Sequence, residues 1–256
     1  MKTKKGDFVE IEYTGMLKEG RIVFDTTNEK IVNEAGINQD NQEHSHAHYP
    51  PVVVCIGQSQ VIKGLDNQLE EKETGEEYTI EIKPEEGFGK KSAKLLRMVP
   101  ASIFLKQKIM PQPGLQVNID GAVGTIISAT GGRTIVDFNH PLSGRELIYN
   151  FRILRVVDDP KEKLEACISS MLNIPHPEIS ESGKEYIIKV PQLIPAEIES
   201  KIKEEINSIA GIEKEKIKFE EIKADTPEES GEETAKKEDI EQEKEKVQEK
   251  NKQKKI

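Results

Sequence analysis

The residues in this chain that could do chemistry are few and scattered. His44, His46 and His48 stand at i, i+2 and i+4 in the stretch HSHAH. On an extended segment that spacing turns three imidazoles to one side, as a metal site needs. No cysteine or carboxylate at a firm ligand spacing completes the set, so a solvated polar loop accounts for the same residues. Asp25 follows Phe24 at the end of a strand-like run and has no second titratable partner nearby, a poor arrangement for proton transfer; a turn or capping role fits it equally. Cys55 lies in the apolar run VVVCIG and Cys167 in a helix-like stretch, which suits buried free thiols better than a disulfide framework. What remains is apolar. Tyr13, Phe24, Val52, Val61, Ile62, Leu65, Phe88 and Tyr149 each read, taken singly, as core packing on a strand or short helix.

The bulk properties narrow the partners. A net charge of −10 with no basic stripe argues against a nucleic-acid backbone as ligand. No segment approaches the roughly 20 apolar residues of a membrane span, and the start MKTKKGDFVEIEY lacks a signal peptide's apolar run. These features, with the thiols, point to a cytoplasmic protein. The 256 residues exceed one compact unit, and charged residues at 33% nearly equal hydrophobic ones at 35%, so part of the chain is expected not to pack.

The elements that must position these residues follow from periodicity. Val9, Ile11 and Tyr13 alternate with Glu10 and Glu12 as a half-buried strand, continued by Ile22 and Phe24 after a turn at Glu19-Gly20. Residues 26–51 lose periodicity and read as a long polar loop. Val52–Ile56 is a second apolar strand. Val61, Ile62, Leu65 and Leu69 fit one face of a short helix, and Tyr78, Ile80 and Ile82 alternate as a further strand. After Phe88-Gly89 the composition changes: turn signals at Pro113-Gly114, Asp120-Gly121 and Gly131-Gly132 predict a three-stranded meander over 115–138. The run LIYNFRILRVV, 147–157, has apolar residues on both faces, as for a central strand covered on both sides.

From Pro160 a small α+β module is predicted: helix 161–172, strand 186–190, helix 196–209 and strand 217–222. Residues 224–256 hold eleven acidic and eight basic residues and almost no large apolar ones, so they are expected to be a disordered tail.

The stretches GDFVEIEYTGMLKEGRIVFDTT and IGQSQVIKGLDNQLEEKETGEEYTIEIKPEEGFG, followed by VDFNHPLSGREL, resemble the signatures of the FKBP-type peptidyl-prolyl cis-trans isomerases, in particular their SlyD-like, archaeal-type branch. The likeness covers residues 6–157 with the motifs in order. It implies an α+β chain whose antiparallel half-barrel sheet wraps a short helix: isomerase domain 1–89 and 141–157, insert-in-flap chaperone domain 90–140, C-terminal domain 158–223, and tail. It places the proline pocket on Tyr13, Phe24, Asp25, Val52, Val61, Ile62, Leu65, Phe88 and Tyr149, with no cofactor, and makes unfolded or partly folded polypeptides containing X-Pro bonds the partners. The sequence departs from the family pattern twice, with Leu65 for the tryptophan of the pocket floor and Phe88 for a tyrosine.

Within 90–140, Leu95, Leu96, Met98, Val99, Ile103, Phe104, Leu105, Ile109 and Met110 are dense for so small a unit. They are expected either to form its core or to offer an exposed patch to unfolded chains. His140 reads as part of a structural turn at the domain junction. The C-terminal module could dimerise the protein, bind a partner or extend the chaperone surface. Two other readings stay open: a holdase with a vestigial pocket, and a metal-handling protein built on HSHAH.

Overall fold

A computed structural model describes residues 2–35, 50–183 and 185–222. The predicted tail and the three histidines of HSHAH lie outside the described residues.

The first sheet is organised around β1 (Phe8–Leu17), which is bonded along both edges. One edge carries β3 (Val52–Cys55) beside Phe8–Ile11 and β2 (Val23–Thr26) beside Thr14–Met16, both antiparallel. Along the other edge runs β9 (Leu147–Val157), paired in turn with β4 (Glu77–Ile82). The sheet packs on α2 (Lys63–Gln68): Leu65 and Leu69 join Val9, Ile11, Ile82, Leu147, Phe151 and Ile153 in one buried cluster.

Two bulges re-aim side chains. Gly15 faces Asp25 and Met16 faces Val23, so Phe24 is the extra residue of β2. Glu10 faces Arg155 and Ile11 faces Ile153, so Leu154 is the extra residue of β9. Because side chains alternate with period two, this second bulge shifts the inward set from Leu147, Tyr149, Phe151 and Ile153 to Val156, and leaves Val157 to the outer face. The strand is therefore not covered evenly on both faces, as its apolar run suggested. Asn150 is exposed, and full outer cover comes only at Val157.

Between β4 and β9 a second, four-stranded sheet is inserted in the order β5 (Leu96–Pro100), β8 (Arg133–Asp137), β7 (Ala122–Thr130), β6 (Gln116–Ile119). The predicted meander is its last three strands. Strand β5 and helix α3 (Ala101–Lys106) were not foreseen as elements. Neither was α1 (Glu29–Ala35), which occupies part of the supposed polar loop.

The C-terminal unit comprises α4 (Pro160–Leu172), β10 (Ile179–Ser182), β11 (Glu185–Val190), α5 (Ala196–Ala210) and β12 (Ile217–Glu221). Strands β11 and β12 are parallel across α5, while β10 is an antiparallel neighbour that sequence periodicity missed. Helix α4 begins where Asp159 accepts the Glu162 N–H at 3.0 Å and Pro160 fills the first turn, and it ends at Asn173 in the left-handed region. Its inner face, Leu164, Cys167 and Ile168, shares one buried cluster with Phe8, Cys55 and Val157 from the outer face of the first sheet.

That shared cluster is testable through its thiols. Cys55 and Cys167 are free and buried, and burial pushes them up to about 11 and about 12. Both therefore stay protonated far above neutral pH, and modification by a thiol reagent at pH 8 should be several hundred-fold slower than for an exposed cysteine. Phe8→Ala should cost roughly 3–5 kcal/mol in urea unfolding and speed that modification markedly. Rapid labelling of the unmutated protein would contradict a closed shared core.

Candidate functional site

The site lies where the inward face of the first sheet meets the loop before α2. Tyr13 is held by its backbone: its N–H donates to Thr27 Oγ1 at 2.9 Å, and its carbonyl accepts the Thr27 N–H at 2.9 Å. The Tyr13 hydroxyl donates to Asp25 Oδ2 at 3.0 Å. Burial, followed by the Asp25 charge, pushes both Tyr13 and Tyr149 well above the ordinary phenol value, so each keeps its proton and remains a donor at physiological pH. Burial also raises the Asp25 carboxyl, against hydrogen bonds from the Tyr13 hydroxyl and the Thr26 amide. Asp25 is nevertheless an exposed residue, so this shift carries no stability argument.

Phe24, delivered by its bulge, stands edge-on to two rings: Tyr149 at 6.0 Å and 73°, and Phe88 at 6.0 Å and 79°. Tyr13 lies 5.8 Å from Tyr149. Offset and edge-to-face contacts of this kind hold rings in place without filling the space between them. Val52, Val61 and Ile62 are half-buried against the same cluster. All nine residues of the expected pocket except Asp25 thus belong to one apolar cluster, with Asp25 bonded at its edge. Leu65 needs a correction: it is 1% exposed and closes the cluster from beneath, offering almost no surface as a floor.

Four residues outside the expected pocket set position it. Asp66 is buried and accepts the N–H groups of Gly57 at 2.8 Å and Ser59 at 2.9 Å, fixing the loop that leads to Val61 and Ile62. A signal was there: Asp66 lies four residues after Ile62 and three before Leu69, on the helix's apolar face. Gln60 Oε1 accepts the Cys55 N–H at 2.6 Å. His140 stacks on Phe88, with centroids 4.5 Å apart and planes 2° off parallel, so this junction residue also reaches the pocket rim. Its Nδ1 accepts the Leu142 N–H at 3.2 Å. Gly15 leaves the room that the Phe24 and Tyr149 rings occupy.

In the inserted unit the expected apolar patch divides. Val99 and Phe104 are buried with Val117, Ile126 and Val136, so they are corrected to core. Ile109 packs partly against them. Leu95, Leu96, Met98, Ile103, Leu105 and Met110 are exposed, and Val123, Ile127 and Ile135 join them. Met98 and Ile135 face each other across the β5–β8 ladder.

An antiparallel sheet on a short helix, with an aromatic pocket at its edge, is consistent with an FKBP-type fold, here interrupted by a second sheet between its last two strands. Comparison with known sequences agrees. A family model described as FKBP-type peptidyl-prolyl cis-trans isomerase matches residues 1–103, and one described as FKBP26, IF domain, matches residues 97–142. A short-type peptidyl-prolyl cis-trans isomerase of Methanocaldococcus jannaschii is 31% identical over 150 residues, which span 59% of this chain and 91% of that protein. The chain belongs to the FKBP-type peptidyl-prolyl cis-trans isomerases. Within that family it is SlyD-like: the SlyD isomerase of Haemophilus influenzae is 26% identical over 168 residues, 64% of this chain and 77% of its own, and that of Helicobacter pylori is 31% identical over 121 residues, 45% and 64%.

Gly15 gives the sharpest test of the pocket. A Cβ there would come within 2.8 Å of Tyr149 Cζ and 2.9 Å of Phe24 Cζ, so both rings must move. Gly15→Ala should lower kcat/KM on a short X-Pro peptide by about tenfold or more, with an overpacking cost of roughly 1–3 kcal/mol in thermal unfolding. Unchanged turnover would mean that these rings do not touch the substrate.

Proposed function

We propose that this isomerase turns the X-Pro bond within the apolar pocket without covalent chemistry, and that its inserted sheet holds unfolded chains near that pocket. Rotation about an X-Pro bond faces a barrier of roughly 18–20 kcal/mol and takes tens to hundreds of seconds unaided. Reaching milliseconds requires about 5.5–7 kcal/mol of differential stabilisation. The twisted amide loses resonance and much of its dipole, so a site poor in water disfavours the planar ground state more than the transition state. The observation that carries this reading is the convergence of Tyr13, Phe24, Phe88 and Tyr149 around half-buried Val61 and Ile62, with Asp25 and two protonated phenols as polar groups at the edge. Asp25 acts as a polar partner for the substrate backbone.

Holding of unfolded chains rests on the exposed side chains of the insert, Met98 at 63% among them, on a sheet whose other face already packs its own core. A tether of this kind raises the effective concentration of prolines at the pocket. A cytoplasmic setting fits the two free thiols. Exposed Leu193 and Ile198 support pairing of two copies through the C-terminal unit.

Removal of the insert separates the two activities. Gly144 N–H donates to Gly89 O at 2.8 Å, so the two connecting segments lie side by side and a short linker can replace residues 90–139, leaving His140 on Phe88. The shortened protein should keep peptide isomerisation while losing most of its advantage on an unfolded protein with a proline-limited refolding step. Equal loss on both substrates would overturn the division of labour. Within the pocket, Phe88→Tyr adds a hydroxyl without removing the ring that stacks on His140, and should raise kcat/KM on a short peptide by up to about tenfold. An inert substitution, together with an inert Tyr13→Ala, would favour a holdase with a vestigial pocket.

A further inference from the structure

Beside the pocket lies a cleft of about 580 Å³ whose walls come from two units of the chain. One wall is the first sheet, with Glu10, Tyr13, Asp25, Val52 and Val53. The other is α4 and the turn that follows it, with Glu162, Glu165, Ala166, Ser169 and the Pro175-His176-Pro177 turn. Tyr13, Asp25 and Val52 belong to both pocket and cleft, so a chain with its proline in the pocket has its next residues over the cleft. The far wall is fixed, because the inner face of α4 is buried with Phe8, Cys55 and Val157, and Ser169 Oγ donates to Ile174 O at 3.0 Å to hold the turn.

The charge of the lining is one-sided. Four carboxylates, on Glu10, Asp25, Glu162 and Glu165, meet one guanidinium, that of Arg155. Arg155 is engaged by two of them, through Nε to Glu10 at 2.6 Å and a terminal nitrogen to Glu162 at 2.6 Å. Among the described residues Glu165 forms no ion pair. Between these acids Pro51, Val52, Val53, Ala166 and Pro177 supply apolar surface, beside the hydroxyls of Thr26, Thr27 and Ser169 and the His176 ring. Such a surface suits a side chain with a long aliphatic stem and a cationic head.

Resting on the isomerase reading above, we infer that this cleft is a specificity subsite: it takes a lysine or arginine flanking the substrate proline, with Glu165 as the selecting residue. The C-terminal unit therefore takes part in substrate choice.

The test uses the full chain and short peptides with one X-Pro bond. In one series a lysine is walked through each position on either side of the proline. A second series carries glutamate at the same positions, and an uncharged parent completes the set. At low salt the protein should favour lysine over glutamate about three- to fivefold in kcat/KM at one or two adjacent positions, the size of one solvent-facing ion pair, and added salt should erase the preference. Glu165→Gln should flatten it and Glu165→Lys should reverse it, while the uncharged parent turns over equally in all three proteins. Backbone amide signals of Ala166 and Ser169 should shift with the preferred lysine peptide and not with its glutamate counterpart, a reading independent of turnover. Indistinguishable lysine and glutamate series, or a preference that survives Glu165→Lys, would overturn the subsite while leaving the isomerase intact. No turnover of the parent peptide by the unmutated protein would sink both.

Discussion

The fold depends on one strand being shared. β1 is bonded to β9 along one edge and to β2 and β3 along the other, so its side chains are committed to two opposite faces at once. Period-two alternation then sends Val9 into the pocket-side cluster and its neighbour Phe8 into the cluster that holds α4. The same division recurs between Val54 and Cys55 and between Val156 and Val157. Three pairs of adjacent residues thus join two cores across a single sheet. The Leu154 bulge is what makes this possible, since without it Val157 would follow Tyr149 and Ile153 onto the inner face and α4 would lose a partner.

The inserted sheet obeys a different rule. It has its own small core, and its link to the first sheet is a neck of polar and backbone bonds. Ser143 Oγ donates to Phe88 O at 3.0 Å, the Ser92 N–H donates to Asn139 Oδ1 at 2.8 Å, and the Lys91 ammonium meets Asp137 at 3.0 Å. Bonds of this kind fix where two strands leave and re-enter but bury little apolar surface. They can hold the insert beside the pocket without welding it there. The His140–Phe88 stack is where neck and pocket meet. A rotation of the neck that carries His140 away must uncover one face of the Phe88 ring.

Elements whose own residues carry the period were legible in the sequence. Val9, Ile11 and Tyr13, the hairpins around Asp120-Gly121 and Gly131-Gly132, and the helical run that follows Pro160 announce themselves locally. Features set by a partner strand were not. Phe24 and Leu154 look like ordinary strand residues until β1 is laid beside them, because a bulge is a mismatch between two strands and neither strand shows it alone. The same limit applied to Val99 and Phe104, which composition could not tell from Met98 and Ile103. Only the side of β5 and α3 that meets β6, β7 and β8 separates core from surface. The pocket set was legible because a family resemblance ordered it. Asp66, which holds it in place, showed only as a carboxylate on the helix's apolar face, and Gly15 holds it open through a ring clearance that no side-chain pattern displays.

The two departures from the family pattern bear unequally on catalysis, and magnitudes decide which matters. A hydroxyl missing at Phe88 removes a hydrogen bond worth roughly 0.5–1.5 kcal/mol net, a minor share of the several kcal/mol that the proposed acceleration needs. Under the proposed mechanism, loss of water from the pocket is the larger lever, and it depends on how well the rings enclose the amide. Leu65 cannot enclose it from below as a broad ring would, because it is already sealed within the cluster. On the proposed reading enclosure comes from the sides, from the half-buried rings of Phe24 and Phe88, and both are placed by interactions outside the pocket. Phe24 is there because a bulge in β2 turns it in, and Phe88 because its carbonyl is bonded to Ser143 and its ring is covered by His140. Substitutions at Ser143 or His140, though neither is a pocket residue by family pattern, therefore act on the same enclosure that the missing hydroxyl leaves largely intact.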